Sequence, residues 1–115
     1  MLVQKNYYVY ILTNPNKTTL YIGVTNDLLQ RIIEHYMNRG NNKSFAGKYY
    51  CYFLIYYEEF KNIRHAIERE KEIKKWNRKK KEDLISRMNK EWKFMNYELF
   101  DTWPPFEEEL YHRKI

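Results

Sequence analysis

The sequence predicts an α+β domain in which a three-stranded antiparallel sheet is flanked by helices in the order β-β-α-β-α-α. Three observations carry that expectation. Near the start, residues 7–12 and 19–25 are rich in strand formers, and in the second run Leu20, Ile22 and Val24 alternate with Tyr21 and Gly23, the period of two that defines a strand. Residues 49–57 form a third, almost wholly apolar run, long enough for a strand but not for a buried helix. Between and beyond these lie segments whose apolar residues recur at helical spacing. The chain has 115 residues, 43% hydrophobic and 18% aromatic, which supports one core and leaves no room for a second folding unit.

The elements follow in order. Thr13, Asn14, Pro15, Asn16, Lys17 and Thr18 collect turn formers over a hairpin-sized interval, so the first two strands pair antiparallel. A hairpin symmetric about Pro15 and Asn16 sets Tyr10 directly across from Tyr21 on one face. Thr25, Asn26 and Asp27 then offer N-cap oxygens to a helix over residues 28–37, whose apolar side is Leu28, Leu29, Ile32, Ile33, Tyr36 and Met37. Its other flank carries Arg31 and His35, one turn apart. Residues 38–48 read as a polar loop with Arg39, Lys43 and Lys48, and residues 49–57 as a strand buried on both sides. The one cysteine, Cys51, falls in that run as a small core residue and excludes an internal disulfide or a Cys-x-x-Cys zinc site.

A long helix follows Asn62 and runs to about Trp76, with Ile63, Ala66, Ile67 and Ile73 as its apolar stripe. At about 100° per residue, Glu70 points into that stripe while Glu68 and Glu72 point away. A carboxylate aimed inward needs compensation, because burying an unpartnered charge is costly. An ion pair with Arg31 or another base, or a bound metal, would each supply it. Residues 78–88 predict a further helix with Leu84, Ile85 and Met88 inward. Beyond Asn89, residues Trp92, Phe94, Met95, Tyr97, Leu99 and Phe100 cover part of the body, and Trp103, Pro104 and Pro105 end regular structure. The expected organisation is one domain over residues 1–100 and a C-terminal tail over 101–115, loosely held from residue 107.

Lys and Arg number 21 against 15 acids, a net charge of +6, and the excess is uneven. Residues 1–81 hold 16 bases and 7 acids, whereas residues 82–115 hold 5 bases and 8 acids. A positive body attracts polyanions. Its densest stretch is Lys74, Lys75, Arg78, Lys79, Lys80 and Lys81, which reads either as a nucleic-acid-binding surface or as a solvated helix face. The longest apolar run is far short of the roughly 20 residues a membrane helix needs, and the first residues lack the basic, apolar and small-residue succession of a secretory signal. A cytoplasmic protein without membrane contact is expected.

Elimination narrows the chemistry. The three glycines form no Walker loop or dinucleotide fingerprint, the two serines lack a G-x-S-x-G setting, and the three histidines form no H-E-x-x-H motif. What remains is a polar set on separate elements: Tyr10 and Tyr21 on the hairpin, Arg31 and His35 on a helix, and Glu70 on another. Each has a plain structural reading as well, the tyrosines as cross-strand aromatics, Arg31 and His35 as surface residues, and Glu70 as half of an ion pair.

In order, these residues resemble the GIY-YIG endonuclease domain, and most of all its small, stand-alone bacterial members. Tyr8, Val9 and Tyr10 stand where that family has Gly-Ile-Tyr, and Tyr21, Ile22 and Gly23 match its second motif. Arg31 and His35 follow on the next helix, and Glu70 lies on the helix after the third strand. The likeness covers roughly residues 5–95, with Tyr8 in place of the first glycine and Val24 where some members carry lysine. It implies metal-dependent phosphodiester hydrolysis, with DNA favoured over RNA as the substrate. Glu70 would bind one Mg²⁺ or Mn²⁺, Arg31 would stabilise the developing phosphorane charge, and Tyr10 or Tyr21 would take a proton from the attacking water. His35 would relay protons or orient water, with Asn89, and Asn77 behind it, as auxiliary candidates. Two other readings stand beside it: a nucleic-acid-binding module that keeps the fold and cleaves poorly, and a structural protein that docks a partner through its aromatic C-terminal region.

Overall fold

The computed structural model describes residues 6–105; the loose tail expected from residue 107 lies outside them. Eight elements follow one another: β1 (Tyr7–Thr13), β2 (Leu20–Thr25), α1 (Leu28–Met37), α2 (Phe45–Lys48), β3 (Phe53–Phe60), α3 (Ile63–Lys75), α4 (Arg78–Met88) and α5 (Asn96–Leu99). The strands form one antiparallel sheet in the order β2-β1-β3, so the expected architecture holds with two single-turn helices added. Among the described residues, no helix is long and apolar enough to cross a membrane.

The hairpin register differs from the expected one. Tyr10 lies opposite Gly23, and Tyr21 opposite Leu12. The reason is the turn, whose centre lies one residue later than Pro15 and Asn16. Asn14 Oδ1 accepts from the backbone N–H groups of Thr18 and Thr19 at 2.8 and 3.0 Å, and Lys17 takes a left-handed φ of 58°. A register offset of two residues leaves every side chain on its expected face, so Tyr10 and Tyr21 become diagonal neighbours rather than a direct pair.

Because side chains alternate along a strand, β1 feeds two interiors. Val9 and Ile11 pack with Ile22, Ile55, Ala66, Ile73 and Ile85 beneath α3 and α4. Tyr10 and Leu12 pack with Leu28, Ile32, Cys51, Leu54 and Trp103 on the side of α1. A bulge in the pairing of β1 with β3, between Ile11 and Leu12, adds a residue to β3 and sends both Ile55 and Tyr56 to the α3 side.

Several boundaries and faces move relative to expectation. The third strand begins at Phe53 because Tyr50, with φ at 59°, turns the chain before it. Cys51 is buried as expected, but in that approach rather than in the strand. The 38–48 loop contains α2, capped by Ser44 Oγ accepting from the Gly47 N–H at 3.1 Å. On α3 only Ala66 and Ile73 are buried, while Ile63 and Ile67 are exposed, as is Met88 at the end of α4. Three turns of α3 cross a sheet too narrow to cover a stripe of that length. The packed body also continues past residue 100, since Trp103 is buried against Tyr36 and Phe100, with ring centroids 5.1 Å away in both cases.

Candidate active site

Polar side chains gather on the α1 face of the sheet, and the strand opposite makes room for them. Tyr10 is buried, and a Cβ on Gly23 would lie 2.4 Å from both its Cζ and its Oη. The glycine of the Tyr-Ile-Gly motif is therefore needed for close approach of the Tyr10 ring. Tyr21, two residues earlier on β2, has its ring centroid 6.3 Å from that of Tyr10 and 5.1 Å from that of His35. Asp27 caps α1 by accepting from the Gln30 N–H at 3.1 Å, which fixes where the helix starts and so which side chains it turns toward Tyr10.

Those side chains are Arg31 and His35. Tyr10 Oη and His35 Nε2 are 3.0 Å apart, and Arg31 Nε donates to Tyr10 Oη at 3.4 Å. Burial, reinforced by the Arg31 charge, pulls the His35 pKa down to about 4, so the ring is neutral near pH 7. Arg31 can only donate, and a neutral ring nitrogen can accept. The pattern that uses every proton runs from Arg31 Nε–H to Tyr10 Oη–H to His35 Nε2. Burial pushes the Tyr10 phenol well above the usual tyrosine range, with Arg31 opposing and Tyr21 adding to the rise. Tyr10 is thus held as a neutral phenol.

Arg31 itself remains cationic. Partial burial works against its charge, but its bonds to Tyr10 and Glu34 outweigh that and raise its pKa. Its Nη1 is 3.0 Å from Glu34 Oε1, and Nη2 has no partner among the described residues. A cavity of about 370 Å³ opens here, lined by Tyr21, Arg31, Glu34 and His35 and, from the α1–β3 connection, by Phe45. A guanidinium with a free edge, a phenol and a neutral imidazole at the wall of one cavity suit an anionic substrate whose reaction moves protons.

Glu70 stands apart from this hydrogen-bonded set. It lies on α3, the helix that packs against the other face of the sheet; its side chain is 15% exposed, and its carboxylate is 3.4 Å from Lys74 Nζ. Its compensation therefore comes from Lys74 rather than Arg31. Among the described residues no three His, Cys, Asp or Glu side chains gather as a metal-holding group. A single shielded carboxylate still suits a magnesium-type ion, which commonly takes one or two protein carboxylates and completes its shell with water and substrate phosphate.

The auxiliary candidates have structural duties. Asn89 Nδ2 donates to the carbonyls of Ile55 and Lys93 at 3.0 and 2.9 Å, and its Oδ1 accepts from the Lys93 N–H. It therefore partners a backbone carbonyl at the β3 bulge and is spent there. Asn77 caps α4 by accepting from the Lys80 N–H. Asn96, fully buried and not singled out in the sequence, binds the edge of β3 by accepting from the Leu54 N–H and donating to the Tyr52 carbonyl.

The basic residues line the end of α3 and the start of α4, and most have neighbours. Lys74 pairs with Glu70, Lys79 with Asp83, and Lys80 lies 4.3 Å from the Trp76 ring centroid. Arg78 pairs with Glu82 and donates to the Thr18 carbonyl at 2.9 Å, fastening α4 to the hairpin turn. Lys75 and Lys81 have no ionic partner among the described residues. Glu34 and Phe45 are cavity residues that sequence reasoning missed. The i, i+3 spacing of Arg31 and Glu34 was a readable signal for the first, while Phe45 is brought to the cavity by a turn with no sequence period.

Comparison with known proteins gives the family. The GIY-YIG catalytic domain matches residues 6–83. A UPF0213 protein of Clostridium perfringens is 42% identical over 91 residues, covering 79% of this chain and 92% of that protein. One from Bacillus pumilus is 36% identical over 83 residues, covering 72% and 82%. The solution NMR structure of a UPF0213 protein from Bacillus halodurans has 30% identity over 76% of this chain and 89% of its own, with a TM-score of 0.49.

Proposed function

This chain belongs to the GIY-YIG family of nuclease-type catalytic domains, and from that premise we propose that it is a divalent-metal-dependent endonuclease that hydrolyses DNA phosphodiester bonds and selects substrates by shape. The observation that carries the reading is the hydrogen-bonded run Arg31, Tyr10 and His35, whose two outer members line one cavity with Tyr21. A module that only binds has no need of a buried phenol–imidazole pair beside a guanidinium.

Each residue then has a task suited to its surroundings. Arg31 presents its free Nη2 edge to a phosphate, and its contact strengthens as negative charge builds on the oxygens. Glu34 and Tyr10 hold the guanidinium in place. Tyr10, buried and with its hydroxyl committed, is a positioning residue, which leaves Tyr21, in its phenolate form, to take a proton from the attacking water. Neutral His35 fixes the Tyr10 hydroxyl without adding a second cation. Glu70 would hold the implied Mg²⁺ or Mn²⁺, which supplies charge neutralisation at the phosphate and acidifies bound water. Lys74, Lys75, Arg78, Lys79, Lys80 and Lys81 would attract the backbone by phosphate contacts that carry no base identity.

The test is Mg²⁺-dependent cleavage of linear, branched and single-stranded DNA by the wild type, Glu70→Gln and Glu68→Gln. Glu70→Gln is expected to abolish cleavage while leaving the fold and nucleic-acid affinity intact, and the exposed Glu68→Gln is expected to cleave normally. Equal losses from both substitutions, or no Mg²⁺-dependent cleavage by the wild type on any substrate, would defeat the proposal.

A further inference from the structure

Between Glu34 and Glu58 the chain has no acidic residue, and the connection from α1 to β3 contains Arg39, Lys43 and Lys48 and four aromatic residues, Phe45, Tyr49, Tyr50 and Tyr52. Apolar rings are expected to be packed away, yet Phe45 is 53% exposed, Tyr49 41% and Tyr50 48%. Phe45 and Tyr49 lie with centroids 4.8 Å apart, and Lys48 Nζ is 5.3 Å from the Tyr49 centroid. Just past the end of α1, the Arg39 guanidinium lies 3.9 Å from the Tyr36 centroid.

The segment holding these rings is firmly built. Asn38 Nδ2 donates to Ser44 Oγ at 2.9 Å, the Gly40 N–H donates to the Gly47 carbonyl at 2.8 Å, and the Cys51 N–H donates to the Ala46 carbonyl at 2.9 Å. Gly47 is enclosed so tightly that a Cβ would lie 2.7 Å from the Asn38 and Asn41 carbonyl oxygens. Rings presented on such a frame lose little freedom when a ligand stacks on them. The platform is also continuous with the candidate active site, since Phe45 lines the same cavity as Tyr21 and Arg31.

We propose that Phe45 and Tyr49, flanked by Arg39, Lys43 and Lys48, form a stacking platform for unpaired nucleic-acid bases next to the scissile phosphate, so that the favoured substrates are single strands or duplexes with an unpaired end or flap. Exposed rings offer each base a π-face, and the surrounding cations meet the backbone phosphates, the combination by which single strands are held without sequence preference. A closed duplex keeps its bases stacked internally and gains only the charge contacts. The proposal deepens the nuclease reading and rests on it for the position of the scissile bond, but base stacking can be measured without cleavage.

The experiment is equilibrium binding of fluorescently labelled oligothymidine, its RNA counterpart and a blunt duplex, in EDTA, to the full chain. The variants are Phe45→Ala/Tyr49→Ala, Phe45→Leu/Tyr49→Leu and Phe45→Trp, each checked for an unchanged circular dichroism spectrum and melting temperature. Loss of stacking on the two rings is expected to weaken single-strand binding by about tenfold or more, the low end of the range for base–aromatic contacts. The blunt duplex should lose at most about twofold. The leucine pair, which keeps apolar area without a π-face, should not restore binding, whereas Phe45→Trp should retain it. DNA and RNA arms that respond alike place recognition in the bases, and a response confined to one arm places it in that sugar as well. Equal losses on single strand and duplex, no loss on either, or rescue by leucine would overturn the platform. A wild type that prefers single strands through these rings yet fails to cleave would instead overturn the nuclease reading and leave the platform standing.

Discussion

Alternate residues of β1 enter two unlike interiors. Val9 and Ile11 join the aliphatic side chains of Ile22, Ile55, Ile73 and Ile85 under α3 and α4. Tyr10, between them in sequence, enters the other face and meets Arg31 and His35 from α1. The first interior gains stability from area removed from water. The second gives up part of that gain, because each polar group it buries has to be partnered. The arrangement satisfies this condition, since no buried side-chain nitrogen or oxygen among the described residues lacks a partner. Two layers on either side of one strand thus differ in kind: one is aliphatic, and the other holds the partnered polar side chains proposed to act on a phosphate. A slip of one residue would exchange them, and the hairpin's actual offset of two does not.

The division can be broken first on the aliphatic side. Ile55→Ala removes a fully buried side chain at the bulge and is expected to cost about 2–5 kcal/mol of stability by denaturant unfolding. The cleavage rate per folded molecule should stay near the wild-type value. A loss of turnover as large as that of a site variant, in protein shown to be folded, would mean that the two faces are not separable.

The polar side should show itself in the pH dependence of stability. His35 has its pKa lowered from 6.5 to about 4 in the folded chain, so between those values the unfolded chain binds more protons. Stability should therefore be level, as far as this group is concerned, above about pH 6.5 and fall as pH drops toward 4. The drop is up to about 3 kcal/mol at 1.36 kcal/mol per pKa unit. Urea unfolding across this range checks it against His35→Gln, whose curve should lack this component; an identical acid limb in both proteins would place the sensitivity elsewhere.

A smaller effect should come from the contact between β2 and the Tyr10 ring. Gly23→Ala forces a Cβ into space that Tyr10 Cζ and Oη occupy, and overpacking of this kind costs about 1–3 kcal/mol. The ring must shift to accommodate it, so cleavage should fall along with stability. A variant with wild-type melting and turnover would show that the close approach is not required.

Much of this was legible in the sequence, and the reasons differ by region. The strands, α1, α3 and α4 announce themselves because period and capping residues are local signals: Asp27 caps α1 and Asn62 caps α3, whereas Asn77, read as an auxiliary site candidate, turns out to cap α4. Tyr10, Arg31 and His35 were readable as candidates because strand alternation and the helical turn fix which residues share a face. Their hydrogen bonds depend on how α1 crosses the sheet, which no local pattern specifies. The hairpin register depended on Asn14 folding the turn around its own side chain, and Asn89 and Asn96 are explained only by the backbone groups that the bulge and edge of β3 leave to be partnered. The α1–β3 connection had the least legible structure of all, since its rings are placed by a network of turns rather than by a repeat.

The central claim, that Arg31 on the α1 face of the sheet meets the reacting phosphate, is tested most directly by Arg31→Lys. Lysine keeps the charge but lacks the planar fork that can bond Tyr10, Glu34 and a phosphate at once. The measurement is single-turnover cleavage at saturating DNA and Mg²⁺, with thermal unfolding of the same preparation. The expected result is a rate lowered by about a hundredfold or more, as for loss of one donor to a developing oxyanion, with a melting temperature close to that of the wild type. A near-normal rate would contradict the account and reduce Arg31 to a diffuse contributor of positive charge.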